Sequence, residues 1–195
     1  MKSGKSLIIT LLVLIVVAAV YRIIPGRPLG FAPQWAMALF GGAVIKDKKW
    51  AFALPIFSMF LSDALYQALY EAGLSTIRGF YEGQLINYIL FAGITLLGFT
   101  LKQITVLRVA GYSVLASTLF FFCSNFAYWA GSGPDIRTNL PLEKSFAGLL
   151  QSYTQALPFY QGCLISTLVF SAVLFGGYYL LTAGNPEVGS MKSEA

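Results

Sequence analysis

Six stretches of this chain are apolar and nearly free of charge: about 6–24, 33–45, 50–70, 83–101, 105–130 and 160–181. A helix rises 1.5 Å per residue, so roughly twenty such residues cross the hydrocarbon of a bilayer. Five of the six reach about that length. Only 11% of the residues are charged, against about a quarter in soluble domains. Lipid is the one solvent that suits such a surface, and in lipid every backbone polar group must be satisfied within the chain. The expected fold is all-α: a polytopic six-helix bundle forming one transmembrane domain over 1–182, followed by a polar cytoplasmic tail over 183–195. The first run, preceded by Lys2 and Lys5, is too long for a signal core and lacks a clean small-x-small cleavage site, so it reads as a retained helix.

Polar landmarks divide these runs. Pro25-Gly26-Arg27-Pro28 breaks the chain after the first helix, and Pro33 is placed to start the second. The second run is short, so it spans only if the preceding loop, 29–32, dips into the membrane or the bilayer thins. Its Ala38 and Gly42 form a small-xxx-small pair that admits a close neighbour, either a helix of this chain or a partner protein. Lys46-Asp47-Lys48-Lys49 then makes a basic hinge, which together with Ala38 and Gly42 is a candidate partner interface. The segment 142–157 places Phe146, Leu149, Leu150, Tyr153 and Leu157 on one helical face, with Lys144, Gln151, Ser152 and Gln155 on the other. It reads as an extra amphipathic helix at the outer interface, ended by Pro158.

The net charge of +5 is spread over short loops, a pattern of membrane topology and not of a phosphate-tracking groove. Nucleic acid is therefore not an expected partner. With the N-terminus inside, Lys2, Lys5, Lys46, Lys48, Lys49, Lys102, Arg108 and Lys192 are cytoplasmic. Arg22, Arg27, Arg78, Arg137 and Lys144 are then outside, with Arg22 snorkelling to the interface. This places both termini in the cytoplasm and the long loops, 71–82 and 131–159, outside.

Polar residues inside the apolar runs mark the candidate site. Asp63 is the only acidic one, and a carboxylate in lipid is costly enough to demand a partner or a wet cavity. Counting 1.5 Å per residue puts Asp63 ~10–12 Å, Asn87 ~6–8 Å and Asn125 ~8 Å below the outer surface. Tyr66 shares a face with Asp63, and Tyr128 and Trp129 lie near Asn125. The expected ligand-binding set is Asp63, Asn125, Trp129, Tyr128, Asn87 and Tyr66, in an outward-facing cavity with aromatic walls. Helix-to-helix hydrogen bonding among these groups is the competing reading. A lone carboxylate among aromatic rings favours a cationic or aromatic ligand.

The chain has no histidine, which removes the commonest general base and zinc ligand. Cys123 and Cys163 are too far apart in sequence for a metal or redox motif. A single membrane-embedded aspartate, no Ser–His pair and no phosphate-cradling glycine loop leave no basis for an enzyme. No cofactor or metal is expected.

The stretch FAPQWAMALFGGAVIKDKKWAFALPIFSMFLSD (31–63) resembles the signature hairpin of an uncharacterised bacterial integral membrane family: F-x-P, A-L-F-G-G-A, a K/R-D-K/R hinge, A-F-x-x-P and a closing S-D. SNFAYWA, FAGLLQSYTQALPFY and VFSAVLFG are similar to it as well, so the likeness covers most of 22–177. More distantly, the layout resembles the substrate-binding S component of energy-coupling-factor transporters. That resemblance implies capture of a vitamin-like or small organic ligand from the outer face of the bacterial cytoplasmic membrane, and coupling to a transmembrane protein with ATPases. One departure stands out: the docking pair Ala-xxx-Ala of the first helix is replaced by Thr10, Leu14 and Ala18. A secondary transporter using Asp63 as a proton or cation site, and a non-transporting membrane assembly protein, are the alternatives.

Overall fold

A computed structural model describes residues 2–183, with side chains described for 9–182. The tail beyond Ala183 and the side chains of Lys2, Lys5 and Lys192 lie outside the described residues. Among the described residues there are six helices and no strand: α1 Lys2–Ile23, α2 Gln34–Val44, α3 Lys48–Glu71, α4 Gln84–Phe99, α5 Val106–Ala130 and α6 Phe146–Ala183. Three are long and apolar enough to cross a membrane, within Lys48–Glu71, Val106–Ala130 and Phe146–Thr182. Local chemistry sets several starts. The Asp47 side chain accepts from Lys49 N at 2.9 Å to cap α3, Thr105 caps α5, and Ser145 Oγ accepts from Gly148 N at 3.2 Å at the head of α6. Each meets backbone N–H groups that a helix start leaves without an intrahelical partner.

The shortest helix is the centre of the bundle. α2 packs on α3, α4, α5 and α6, while α1 lies against α3. At 11 residues it is only ~16 Å long, and eight of those residues are buried. The chain before it completes the layer. Gly30 (φ +70°) and Gly162 let that loop touch α6 backbone to backbone: a Cβ on Gly30 would lie 2.3 Å from the Phe159 carbonyl oxygen, and one on Gly162 1.8 Å from that of Leu29. Phe31 packs between Tyr21 and Phe170.

The small residues of α2 serve this packing. A Cβ on Gly42 would lie 2.1 Å from the Thr95 carbonyl oxygen, and one on Gly98 would lie 2.5 Å from that of Leu39. Ala38 is fully buried. The Ala38/Gly42 pair is therefore an internal contact between α2 and α4, which corrects its expected place in a partner interface. On the opposite side, Gly41 meets the Ala51 carbonyl of α3. Pro55, four residues on, has no N–H to occupy that carbonyl. Lys46, Lys48 and Lys49 are exposed at the turn.

The separate amphipathic helix over 142–157 is corrected too. α6 is one helix of 38 residues running through Pro158, ~57 Å long and so longer than the ~30 Å hydrocarbon layer. A proline removes one helical hydrogen bond and crowds the carbonyl four residues back. Here, bonds to α5 on both sides of it hold the helix: Ser152 Oγ to the Asn125 carbonyl at 2.9 Å, Tyr160 Oη with Thr118 Oγ1 at 2.9 Å, and Ser113 Oγ with Ser171 Oγ at 2.9 Å. Chain direction alternates through the bundle, so the 24–33, 72–83 and 131–145 connections share one end. The shorter 45–47 and 100–105 turns share the other.

Candidate functional site

Asp63 anchors the long-loop end from inside. It is 1% exposed. Its Oδ1 accepts from Arg22 Nη1 of α1, and its Oδ2 accepts from Gln84 Nε2 and from Tyr88 Oη, the latter at 2.7 Å. Arg22 Nη1 also reaches Ser62 Oγ at 2.6 Å, and the Arg22 carbonyl accepts from Tyr66 Oη at 2.6 Å. The 72–83 loop closes over the pair: a Cβ on Gly79 would lie 1.8 Å from the Asp63 carbonyl oxygen, and Gln84 Nε2 also donates to the Gly79 carbonyl at 3.1 Å. α1, α3, α4 and this loop are thus tied at one carboxylate. Charge-assisted bonds in so dry a place are strong, and removing one partner strands the other. Arg22 is the half-buried counter-ion of Asp63. Tyr66 supports that arginine, so neither Asp63 nor Tyr66 belongs to an open ligand cavity.

The cavity lies beside this knot. An inner chamber of about 240 Å³ is lined by residues that include Arg27, Gln34, Trp35, Tyr81, Asn87, Phe91, Phe120 and Phe159. It shares Tyr81 and Asn87 with an outer chamber of about 680 Å³, whose lining includes Glu82, Asn125, Tyr128 and the 131–134 turn. A cleft of about 80 Å³ carries Trp35, Phe120 and Phe159 on to Asn125 and Cys163. The three spaces are neighbours with shared wall residues, lying between the long-loop end and the N-terminus of α2. Trp35, Phe91 and Phe120 make its aromatic wall, with ring centroids 5.4–5.7 Å apart. A second groove, about 420 Å³, opens between α5 and α6. Its serines bond each other and the Val109 carbonyl, so it is an apolar groove with satisfied polar groups.

Among the described residues, three buried side-chain atoms have no hydrogen-bond partner: Arg27 Nε, Gln34 Oε1 and Trp35 Nε1. All three residues line the inner chamber. Gln34 is wholly buried. Its Nε2 donates to the Ala18 carbonyl at 3.4 Å and to Ser58 Oγ at 3.2 Å. A carbonyl only accepts, so it fixes the amide with nitrogen toward α1 and leaves the oxygen unmatched. An unpartnered buried polar atom costs about 1–3 kcal/mol, and such groups are rare in folded proteins. Three of the residues around one small chamber carry such an atom, each atom closed off from open space, which sets this wall apart from the rest of the described residues.

The expected set therefore divides. Asn87 and Asn125 share the outer chamber with Tyr128. Asn87 Nδ2 donates to Tyr81 Oη at 2.7 Å and Asn125 Nδ2 to the Phe121 carbonyl at 2.7 Å, which leaves their amide oxygens available. Trp129 is a strut: its Nε1 donates to the Glu143 carbonyl at 2.8 Å, and the Lys144 ammonium lies 5.2 Å from its ring centroid. Sequence reasoning missed Arg27, Gln34, Trp35 and Tyr81. Gln34 and Trp35 were legible as polar and amphipathic groups directly after Pro33, at the mouth of the shortest helix.

The 131–145 loop is braced on α6. Gln155 Nε2 donates to the Pro134 carbonyl at 3.3 Å, and Gln155 Oε1 accepts from Ile136 N at 3.1 Å. Arg137 pairs with Asp135 at 2.6 Å and holds that carboxyl below the usual range. Partial desolvation raises the Tyr81 phenol above its ordinary value, and like an ordinary phenol it is a neutral donor and acceptor near neutral pH.

The fold and this end of it define an all-helical protein with three helices able to cross a membrane and a polar, aromatic-walled cavity under its long loops. By sequence, the chain belongs to a family of unknown function (DUF6580), whose model matches residues 2–188. No curated protein and no solved structure matches it.

Proposed function

We propose that this is an integral membrane protein that captures a small molecule in the cavity at its long-loop end. The observation that carries the reading is that the three residues holding orphaned buried polar atoms among the described residues all line one chamber, so that modest side-chain shifts would turn those atoms to a ligand held there. Concave, mostly apolar sites with a few convergent polar groups are where small ligands bind.

Capture, rather than transport by this chain alone, is favoured by the other half of the bundle. Met37, Leu39, Phe40, Leu54, Ile94, Leu101 and Phe175 fill it as one buried cluster, and buried Thr95 and Ser113 donate to their own helix backbone. A transporter working through Asp63 would need that carboxylate to exchange protons or cations, yet Arg22 already neutralises it. This architecture suits a substrate-binding subunit of the energy-coupling-factor type, with a separate transmembrane coupling protein and ATPases. The exposed Lys46, Lys48 and Lys49 turn is then the contact region, since Ala38 and Gly42 are occupied internally. Both termini are then inside a bacterial cytoplasmic membrane, on the count of eight Lys and Arg residues assigned to that side against five outside.

Native mass spectrometry of the protein released from lipid nanodiscs tests this. A small molecule should accompany the wild type and be lost from Asn87→Trp, which fills the junction of the two chambers. A wild-type protein that carries only lipid, with a mass profile identical to that of the variant, would refute capture.

A further inference from the structure

Resting on that reading of the cavity, we infer that its ligand is a small organic anion, a carboxylate on a flat apolar body, with Arg27 as its anchoring residue. Among the described residues the ion pairs are Arg22–Asp63 and Arg137–Asp135. Arg22 also lines the chamber but is paired with Asp63, so the guanidinium on its wall that has no carboxylate is that of Arg27. That group is partly engaged, since its Nη1 donates to the Phe31 carbonyl four residues on, but its buried Nε has no acceptor. Donation to Phe31 holds the guanidinium in place, and a held fork is what binds a carboxylate well.

The remaining unmatched atoms extend the description. Trp35 Nε1 is a second donor without an acceptor, and Gln34 Oε1 is an acceptor without a donor. A carboxylate supplies two oxygens for Arg27 and Trp35, and one N–H or O–H elsewhere on the ligand suits Gln34. Trp35, Phe91, Phe120 and Phe159 supply apolar and ring surfaces around these groups, which favours a planar body. The inner chamber, about 240 Å³, falls just below the common range of ~300–1,000 Å³, so the body is one or two rings in size. Glu82 stands exposed on the outer chamber and is not part of the inner wall. This reverses the cationic preference that a lone Asp63 implied.

Equilibrium dialysis of the full chain in phosphatidylcholine nanodiscs, corrected for empty nanodiscs, tests the inference with three probes of one shape. These are 1-naphthoate, 1-naphthamide and 1-naphthylmethylamine. 1-Naphthoate should bind about tenfold or more tightly than the amide, the scale of one charge-assisted hydrogen bond. Arg27→Gln should abolish that preference at an unchanged melting temperature, and Arg27→Lys should keep part of it. Amide or amine bound as well as naphthoate, or a preference that survives in Arg27→Gln, would overturn the anion assignment. Retention of none of the three would overturn it as well. In that case the native mass spectrum separates the two failures: a co-purifying small molecule leaves the capture reading standing, and its absence removes both.

Discussion

At the scale of single residues, the decisive fact is that Asp63 has a counter-ion, whereas Arg27, among the described residues, has the Phe31 carbonyl and no carboxylate. The sequence marks Asp63 as the costliest group in its apolar runs, and the structure gives it a matching set of donors. Its partner was hidden because Arg22 lies 41 residues away. Periodicity assigns a residue to a face of its own helix and does not say which helix that face meets. Arg22→Met should therefore destabilise the protein by about 3 kcal/mol, as expected when a buried carboxylate loses its counter-ion. Arg22→Met with Asp63→Leu should recover most of that loss, both read as melting temperature in nanodiscs. A second titrating feature is Asp135. Arg137 lowers its pKa from the ordinary 3.8, so its contribution to loop order is complete above that ordinary value and is lost as pH falls through the lowered one. Arg137→Gln should move the loosening of 133–142 to higher pH, as followed by amide exchange.

At the scale of elements, most of the helices were legible and their partnerships were not. Long apolar runs bounded by Pro25, Pro33 and the 46–49 hinge locate α1 to α5 to within a few residues, because caps and breakers act locally. α6 was misread as two helices, since a proline is a strong local stop signal and its rescue by α5 is a tertiary effect. The small residues of α2 were legible as a close-contact face, for a helix of this chain or for a partner, and Gly42 meets α4 of this chain. Gly42→Ala should cost about 1–3 kcal/mol, the range for overpacking, because its Cβ would meet the Thr95 backbone at 2.1 Å. Gly93→Ala, with nothing within 4 Å of the added carbon, should be neutral or raise stability by up to about 1 kcal/mol. Parallel thermal melts check the contrast. If Ala38 and Gly42 were instead a docking face for another protein, both glycine variants would melt alike.

At the scale of the whole molecule, composition and the three helices able to cross a membrane point the same way. α1 buries Leu11, Ile15, Ala18 and Ala19 and exposes Ile9, Leu12, Val13, Val16, Val17 and Val20, an apolar surface of the kind that lipid covers. Cys123 tests this coverage: it is exposed on α5 and ~11 Å from the end of that helix. A membrane-impermeant maleimide should leave it unlabelled in intact nanodiscs and modify it once SDS unfolds the protein. The cavity is the part that only three dimensions reveal, because its wall is assembled from all six helices and the 24–33 and 72–83 loops. The most direct test of the account is an experimental density map of the protein in nanodiscs, taken without added ligand. It should show non-protein density larger than a water molecule within hydrogen-bonding distance of Arg27 Nε, Gln34 Oε1 and Trp35 Nε1. A chamber collapsed around its own side chains, with those three atoms bonded to other groups of the chain, would contradict it.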